Sequence, residues 1–563
     1  MQMLVALHRA GGRTVTKQQL IASCWDGLAV SDDAITQCIW KLRRALARVP
    51  EAQVSSVPRL GYRLDAPRAG SGPGGQPRFD RRRVLIAGAG TAAAAGLGWL
   101  VFDVHTPAPG NSIAVLPFAN LSGDTRQAYF GDGIAEEVRN ALSRMAGLNV
   151  VGRTSSEAVR DIDAATVARR LHVSNVLIGS VRRSASMTRV SAQLVDGRSG
   201  FQLWSQSYDL ASMDALELQR EIAQNVALAL RLKLERSETA AIAAGGTASA
   251  IANELYHQAK REIKSSDTEA SFRKVIVLCD AAIGIDPRYA DAYALKGMAW
   301  DAIGSSFVED PAATHRAYAQ GAEAARTAIT IAPQVADGYV ALGRSMSGQL
   351  DVRGALEQYR KAGSLARADP GILSWWVHTL AEIGRTTEAI ALSEKLIALD
   401  PLNPALFGKQ AFAYFFARRY ERAIQSSRRA LALAPGLTEQ ESLVGDCLCL
   451  LGRYPEALVQ YSKAPPLDLF RITGEGLVAA RQGDQSSAHR VLDRLHRDFG
   501  QTSSYQVAQI HAQLNRFDEA FLALETGRSV LDAGLNSLPA DPFIDPLRGD
   551  DRFGVLLKQL DLG

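Results

Sequence analysis

The chain has 563 residues and a mass of 60.6 kDa, which at roughly 150 residues per domain implies about four domains, or fewer where repeats extend one of them. Hydrophobic residues make up 47% and charged residues 22%, which excludes wholesale disorder, and five cysteines without a CxxC pair exclude a disulfide scaffold. The formal net charge of +4 is uneven: residues 1–83 carry 14 Lys and Arg against 6 Asp and Glu, and the remainder 49 against 53, so only the head suits a polyanion.

In that head a short helix over residues 3–9 is broken by Gly11 and Gly12, and Thr16 caps a second helix. Ser31 caps a third, SDDAITQCIWKLRRAL, with Asp32 and Asp33 in the first turn, where the macrodipole favours them. Ile35, Ile39, Leu42 and Leu46 follow one another at spacings of 4, 3 and 4 and form one buried stripe. The opposite face carries Gln37, Trp40, Lys41 and Arg44. Residues 53–64, QVSSVPRLGYRL, read as a β-hairpin turning over residues 58–61.

Three short helices, the third basic, and a hairpin wing describe a winged helix-turn-helix over residues 1–66. The texts VSDDAITQCIWKLRRAL and VPRLGYRL resemble the OmpR/PhoB-type DNA-binding domain, in the branch of membrane-bound ToxR-like activators. The resemblance implies that the third helix enters the major groove of double-stranded promoter DNA and the wing the adjacent minor groove. It implies base contacts from Gln37 and Lys41, and phosphate or sugar contacts from Trp40, Arg43, Arg44, Arg59 and Arg63. Pro58 stands where the family often has arginine. The family's small sheet ahead of the first helix has no counterpart after Met1, so the domain reads as amino-terminally truncated.

Residues 67–83 form a linker within Pro/Gly/Ser-rich text. Residues 84–102, VLIAGAGTAAAAGLGWLVF, are uncharged. As a helix they rise about 28 Å, close to the ~30 Å hydrocarbon core. Arg81, Arg82 and Arg83 precede the run and Trp99 lies near its far end. The reading is a single transmembrane helix in the bacterial inner membrane, with the amino terminus cytoplasmic and the rest exported. The alternative is a buried Ala/Gly helix in a cytoplasmic chain. Gly88, Ala92 and Gly96, with Gly90, Ala94 and Gly98, form small-residue rows that permit close pairing in a homodimer.

Residues 112–234 alternate strand and helix signals and read as an α/β domain of about five strands. Strands are expected over 112–118, 148–151, 176–181, 190–195 and 201–208, and helices over 133–145, 164–171 and 213–234. SIAVLPFANLSGD, YFGDGIAEEV, VLIGSVRRS and LWSQSYD resemble the TolB amino-terminal-like domain. Phe130-Gly131-Asp132-Gly133 matches no phosphate-loop pattern and is read as a helix entry turn.

From residue 250 to 530 a 34-residue period governs the text: Ala355, Ala389, Ala423 and Ala457 are each 34 apart, and Pro401 and Pro435 keep the same interval. Gly384-Arg385 and Gly452-Arg453 mark turns. A helix-turn-helix of this length, with a small residue at the crossing and a closing proline, resembles the tetratricopeptide (TPR) repeat. Seven or eight units would stack into an all-α solenoid whose groove takes a protein or peptide partner. Residues 531–563 are expected to cap the last repeat, and Trp375 and Tyr414 to be packing residues.

The whole reads as a multidomain chain resembling ToxR-like activators, or the soluble invasion-gene activator type. That makes it a bacterial one-component transcription regulator with a sensory α/β and TPR region. The alternative is a TPR scaffold whose truncated winged helix no longer binds DNA. No cofactor, metal or catalytic constellation is expected, and hence no enzymatic activity.

Overall fold

The computed structural model describes residues 15–16, 53–57 and 61–65, and residues 111–562 except 123–127, 144, 146, 184–186, 210–214, 231–244, 266–267, 307–310 and 366–368. The chain divides into two units, Met1–His105 and Thr106–Gly563. Residues 84–102 lie outside the described residues; among those described, no helix is long and apolar enough to cross a membrane.

In the first unit, β2 (Gln53–Val57) and β3 (Gly61–Asp65) form an antiparallel hairpin in register Val57↔Gly61, as the sequence implies. A two-residue strand, β1 (Val15–Thr16), adds to β3 through Val15↔Tyr62. Thr16 therefore has an extended backbone, which an N-cap also requires, and the sequence reading missed its pairing.

The second unit opens with the α/β domain. Its sheet has the order β6-β4-β7-β8-β9, and β5 (Ala119–Asn120) also pairs β7. β4 (Ser112–Val115) lies parallel to β6 (Asn149–Val150) and β7 (Asn175–Arg183). β8 (Thr188–Asp196) and β9 (Gln202–Asp209) continue as an antiparallel meander. β4 is buried along its whole length, which explains its unbroken apolar text. Ile113 and Val115 point to one face, against α1 (Ala128–Ser143) and α4 (Ala215–Ala229). Ala114 and Leu116 point to the other, against α3 (Ala164–Leu171).

Two expectations are corrected here. Phe130-Gly131-Asp132-Gly133 lies inside α1, because the helix begins five residues earlier than its apolar stripe suggests. It can do so because Gly131 has no side chain: a Cβ there would lie 2.5 Å from the Phe118 carbonyl oxygen. A short helix, α2 (Arg153–Glu157), was also missed.

The rest is a stack of antiparallel helix pairs. They are α5 (Ala250–Ser265) with α6 (Glu269–Ile285), α7 (Ala290–Ser306) with α8 (Pro311–Ile331), and α9 (Ala336–Gly348) with α10 (Val352–Leu365). α11 (Pro370–Glu382) pairs α12 (Thr386–Leu399), and α13 (Pro404–Phe416) pairs α14 (Tyr420–Leu433). α15 (Thr438–Leu450) pairs α16 (Tyr454–Tyr461), α17 (Leu469–Arg481) pairs α18 (Gln485–Phe499), and α19 (Ser504–Gln513) pairs α20 (Phe517–Ser529). Ala355, Ala389, Ala423 and Ala457 are all 0% exposed, the small residues at each crossing. Pro401 and Pro435 follow the ends of α12 and α14, where a missing N–H costs nothing.

The turns inside the pairs share a second 34-residue signature. Leu350, Gly384, Arg418 and Gly452 all have a left-handed backbone, with φ of 64°, 82°, 60° and 74°. Glycine adopts this without steric cost; leucine and arginine do not.

The tail does more than the sequence implies. Residues 533–549, two 3-10 segments, do pack on α19 and α20, but they also run back along the first helices of earlier pairs. Asn536 Nδ2 donates to the Ser347 carbonyl at 3.1 Å, Arg418 donates to the Ala540 carbonyl and to Asp545 Oδ1 at 2.7 Å, and Phe543 meets Phe415 at a ring distance of 6.3 Å. Leu535, Leu538, Ile544 and Leu547 are all 0% exposed. α21 (Asp551–Gln559) follows.

Candidate functional site

Of the residues expected to contact DNA, the structure places Arg63 on β3, opposite Ser55 of β2. Gln37, Trp40, Lys41, Arg43, Arg44 and Arg59 lie outside the described residues.

In the second unit a site forms that the sequence reading did not find, at the seam between the α/β domain and the helix pairs. One half is a backbone weld. The Ser155 N–H donates to Asp400 Oδ1 at 2.8 Å, the Leu402 N–H to Ser155 Oγ at 2.9 Å, and the Gly152 N–H to the Leu399 carbonyl at 3.1 Å. Gly152 is required: a Cβ there would lie 2.4 Å from Asp400 Cγ. Desolvation raises the Asp400 carboxyl above its ordinary value, against the hydrogen bonds from Ser155 and Asn403.

The other half is electrostatic. Glu136 of α1 is 9% exposed and accepts from Lys260 of α5 and from Arg153 of α2 at 2.8 Å. Burial alone would raise its pKa, yet the cations Lys260, Arg153 and Arg139 hold it down to about 2. Arg153 also binds Glu157 at 2.8 Å. Next to Glu137, His257 of α5 is pushed down to about 4, first by burial and then by Lys260, so it is neutral near pH 7.

Between these halves lies a cavity of about 330 Å³. Its α/β wall carries Glu136, Arg139, Arg153 and Thr154; its helical wall carries Lys260, Asp337, Val340 and Trp375. Trp375 is half-buried, with Arg344 at 4.4 Å and Lys409 at 4.9 Å from its ring. The aromatic expected to be plain packing is thus an edge of the cavity, while Tyr414 is buried as expected. A sequence signal existed: Glu136, Arg139 and Ser143 recur at spacings of 3 and 4 beside the apolar stripe of α1. Among the described residues no cluster of His, Cys, Asp or Glu is arranged to hold a metal ion.

The described residues thus give a three-stranded sheet in the head and, in the second unit, an α/β domain followed by a helical array. Residues 1–64 match the family model for transcriptional regulatory proteins, C terminal, a domain of OmpR/PhoB winged-helix type. A protein named putative adenylate cyclase 3 from Rhizobium meliloti (strain 1021) is 38% identical over 185 residues, which cover 32% of this chain and 31% of that protein. Solved structures with similar helical stacking include Pseudomonas aeruginosa pilF (20% identity, TM-score 0.30, 38% of this chain and 93% of that one). Yeast Tom70 is another (15%, 0.33, 56% and 66%). A third is YrrB, titled a TPR protein with an unusual peptide-binding site (17%, 0.24, 33% and 88%).

Proposed function

We propose that this protein is a bacterial one-component transcription regulator of ToxR-like organisation. Its winged helix binds promoter DNA, and its TolB-like domain and TPR array sense a signal. The observation that carries this is the antiparallel hairpin Gln53–Val57/Gly61–Asp65 at the end of the segment that matches the regulator family. In this reading Gln37 and Lys41 read bases from the third helix, while Trp40, Arg43, Arg44, Arg59 and Arg63 hold phosphates and sugars. Residues 84–102 anchor the chain in the inner membrane with the head in the cytoplasm, and two heads act as a dimer on paired half-sites.

Fluorescence anisotropy of the full chain on promoter DNA, across about 50–200 mM salt, tests the reading. Binding should fall steeply with salt. Arg44→Ala should weaken it on every sequence, and Gln37→Ala should mainly relax base preference. Salt-independent or absent binding would replace this reading with a TPR scaffold. Reporter fusions after Leu64 and after Leu234 should report opposite sides of the membrane. The relative named as a cyclase prompts one more assay: no cyclic AMP should form from ATP and Mg²⁺.

A further inference from the structure

The helical array is covered in two places, by the α/β domain at Asp400 and Lys260 and by residues 533–549 along α9, α11 and α13. Beneath the tail the cover is incomplete. A cavity of about 160 Å³ stays open between it and the first helices α13, α15, α17 and α19. A void of ~150 Å³ holds a molecule the size of benzene, so this one suits a small organic molecule.

Two kinds of group line it. Phe412, Phe415, Phe416, Phe470 and Phe543 supply aromatic rings, with Phe412 stacked on Phe416 at 6.3 Å and Phe415 edge-on to Phe416 at 5.3 Å. Among the described residues no cation lies over any of them, although Phe407, Phe521 and Phe553 elsewhere in the array each carry an arginine. Phe470 is 51% exposed and gives the cavity an aromatic edge toward solvent. Glu439, Asp446 and Asp541 supply carboxyl groups, and the lining contains no Lys, Arg or His.

The two deeper carboxyls differ. Asp541 is filled: it accepts from the Tyr505 hydroxyl at 2.8 Å, Gln509 Nε2 at 2.7 Å and the Phe543 N–H at 2.8 Å. Asp446 accepts a single hydrogen bond, from the Tyr461 hydroxyl to Oδ1 at 2.6 Å, and among the described residues it forms no ion pair. Burial, with no cation to offset it, raises its carboxyl to about 7. Ser442 stands one turn before Asp446 on the same face of α15. Ser442 is 3% exposed and Gln506 of α19 is 9% exposed, and Ser442 Oγ and Gln506 Oε1 have no hydrogen-bond partner. The lining therefore offers electron-rich ring faces, an unpaired carboxyl and two unmet oxygens. An ammonium ion is attracted by the first two together, and it stabilises the ionised carboxylate in place of the proton.

We propose that this cavity binds a small organic ammonium ion, with its charge between the phenylalanine rings and Asp446 and a hydroxyl toward Ser442 and Gln506. Amino alcohols share this chemistry whether or not the nitrogen is methylated. The proposal concerns the second unit alone and does not depend on the head binding DNA.

Isothermal titration calorimetry on the full chain tests it, with choline, ethanolamine, potassium chloride and dimethylbutanol, the uncharged carbon analogue of choline. Choline or ethanolamine should bind saturably, and the responding arm says whether the nitrogen is methylated. Dimethylbutanol and potassium should bind at least tenfold more weakly. Asp446→Asn keeps an acceptor for Tyr461 and should weaken binding of the ammonium ion at least tenfold with an unchanged circular dichroism spectrum. Phe470→Leu, at the exposed edge, gives a second reading if Asp446→Asn fails to fold, and should weaken binding at least threefold. Absence of saturable binding by both amines overturns the proposal. So does binding of dimethylbutanol or potassium as tightly as the amines, and so does wild-type affinity in the folded variants.

Discussion

The two coverings of the helical array are built on opposite principles. At the tail the contact is mostly apolar: Phe543, Ile544 and Leu547 are buried to 1% or less, a cavity of about 160 Å³ remains beside Phe543, and the carboxylates Asp446 and Asp541 on its wall are pushed toward their neutral forms. At the seam the contact is more charged and leaves a larger cavity of about 330 Å³; Glu136 is held ionised there, while burial raises Asp400. Apolar packing closes most of a surface, since a polar group entering it loses its hydrogen bonds to water. A charged, hollow contact fixes two bodies together yet keeps room for an occupant.

The largest expected effect breaks the apolar side. Phe543→Ala should lower stability by about 3–5 kcal/mol, read as a downward shift of the urea midpoint, because it empties a fully enclosed ring site. Glu136→Gln, at the seam, should lower it by about 3 kcal/mol by leaving Lys260, Arg153 and Arg139 facing one another.

The pH dependence sharpens the contrast, because the two sides respond with opposite sign. The Glu136 pKa is depressed, so its stabilising contribution is complete above the ordinary carboxylate range and lost as pH falls toward about 2. Asp446, next to the tail, is raised to about 7 by burial, against the hydrogen bond from Tyr461. It keeps a proton in the fold that the unfolded chain releases near pH 4, so stability declines as pH rises from about 4 to 7, by up to about 1.4 kcal/mol per unit. Asp446→Asn should flatten that slope in a series of melts across pH, while Glu136→Gln should flatten only the acid limb.

The smallest effect concerns Arg418, left-handed in its turn and bonded to Ala540 and Asp545. Arg418→Ala loses the contacts and keeps the strain. Arg418→Gly loses the contacts but relieves the strain, and should be the more stable of the two by about 1 kcal/mol in thermal melts.

The array was legible because its packing repeats: an alanine that must be small at each crossing recurs at Ala355, Ala389, Ala423 and Ala457. The strands of the α/β domain were legible because β4 is buried on both faces and reads as unbroken apolar text. The seam was not legible, since Ser155 and Asp400 are 245 residues apart and neither departs from its local pattern. Asp400 looked like the end of a helix, which it also is. The tail's course was hidden for the same reason, although Leu350 and Arg418 mark it: they stand where the other turns have glycine, and both touch the tail cluster or the tail itself.

The tail also sets a threshold on the helix surface it covers. A segment tethered to its own binding surface acts at an effective concentration on the order of millimolar. Any segment that met the same helices would first have to displace residues 533–549, which never diffuse away. Short, weakly held sequences would thereby be screened out by mass action alone.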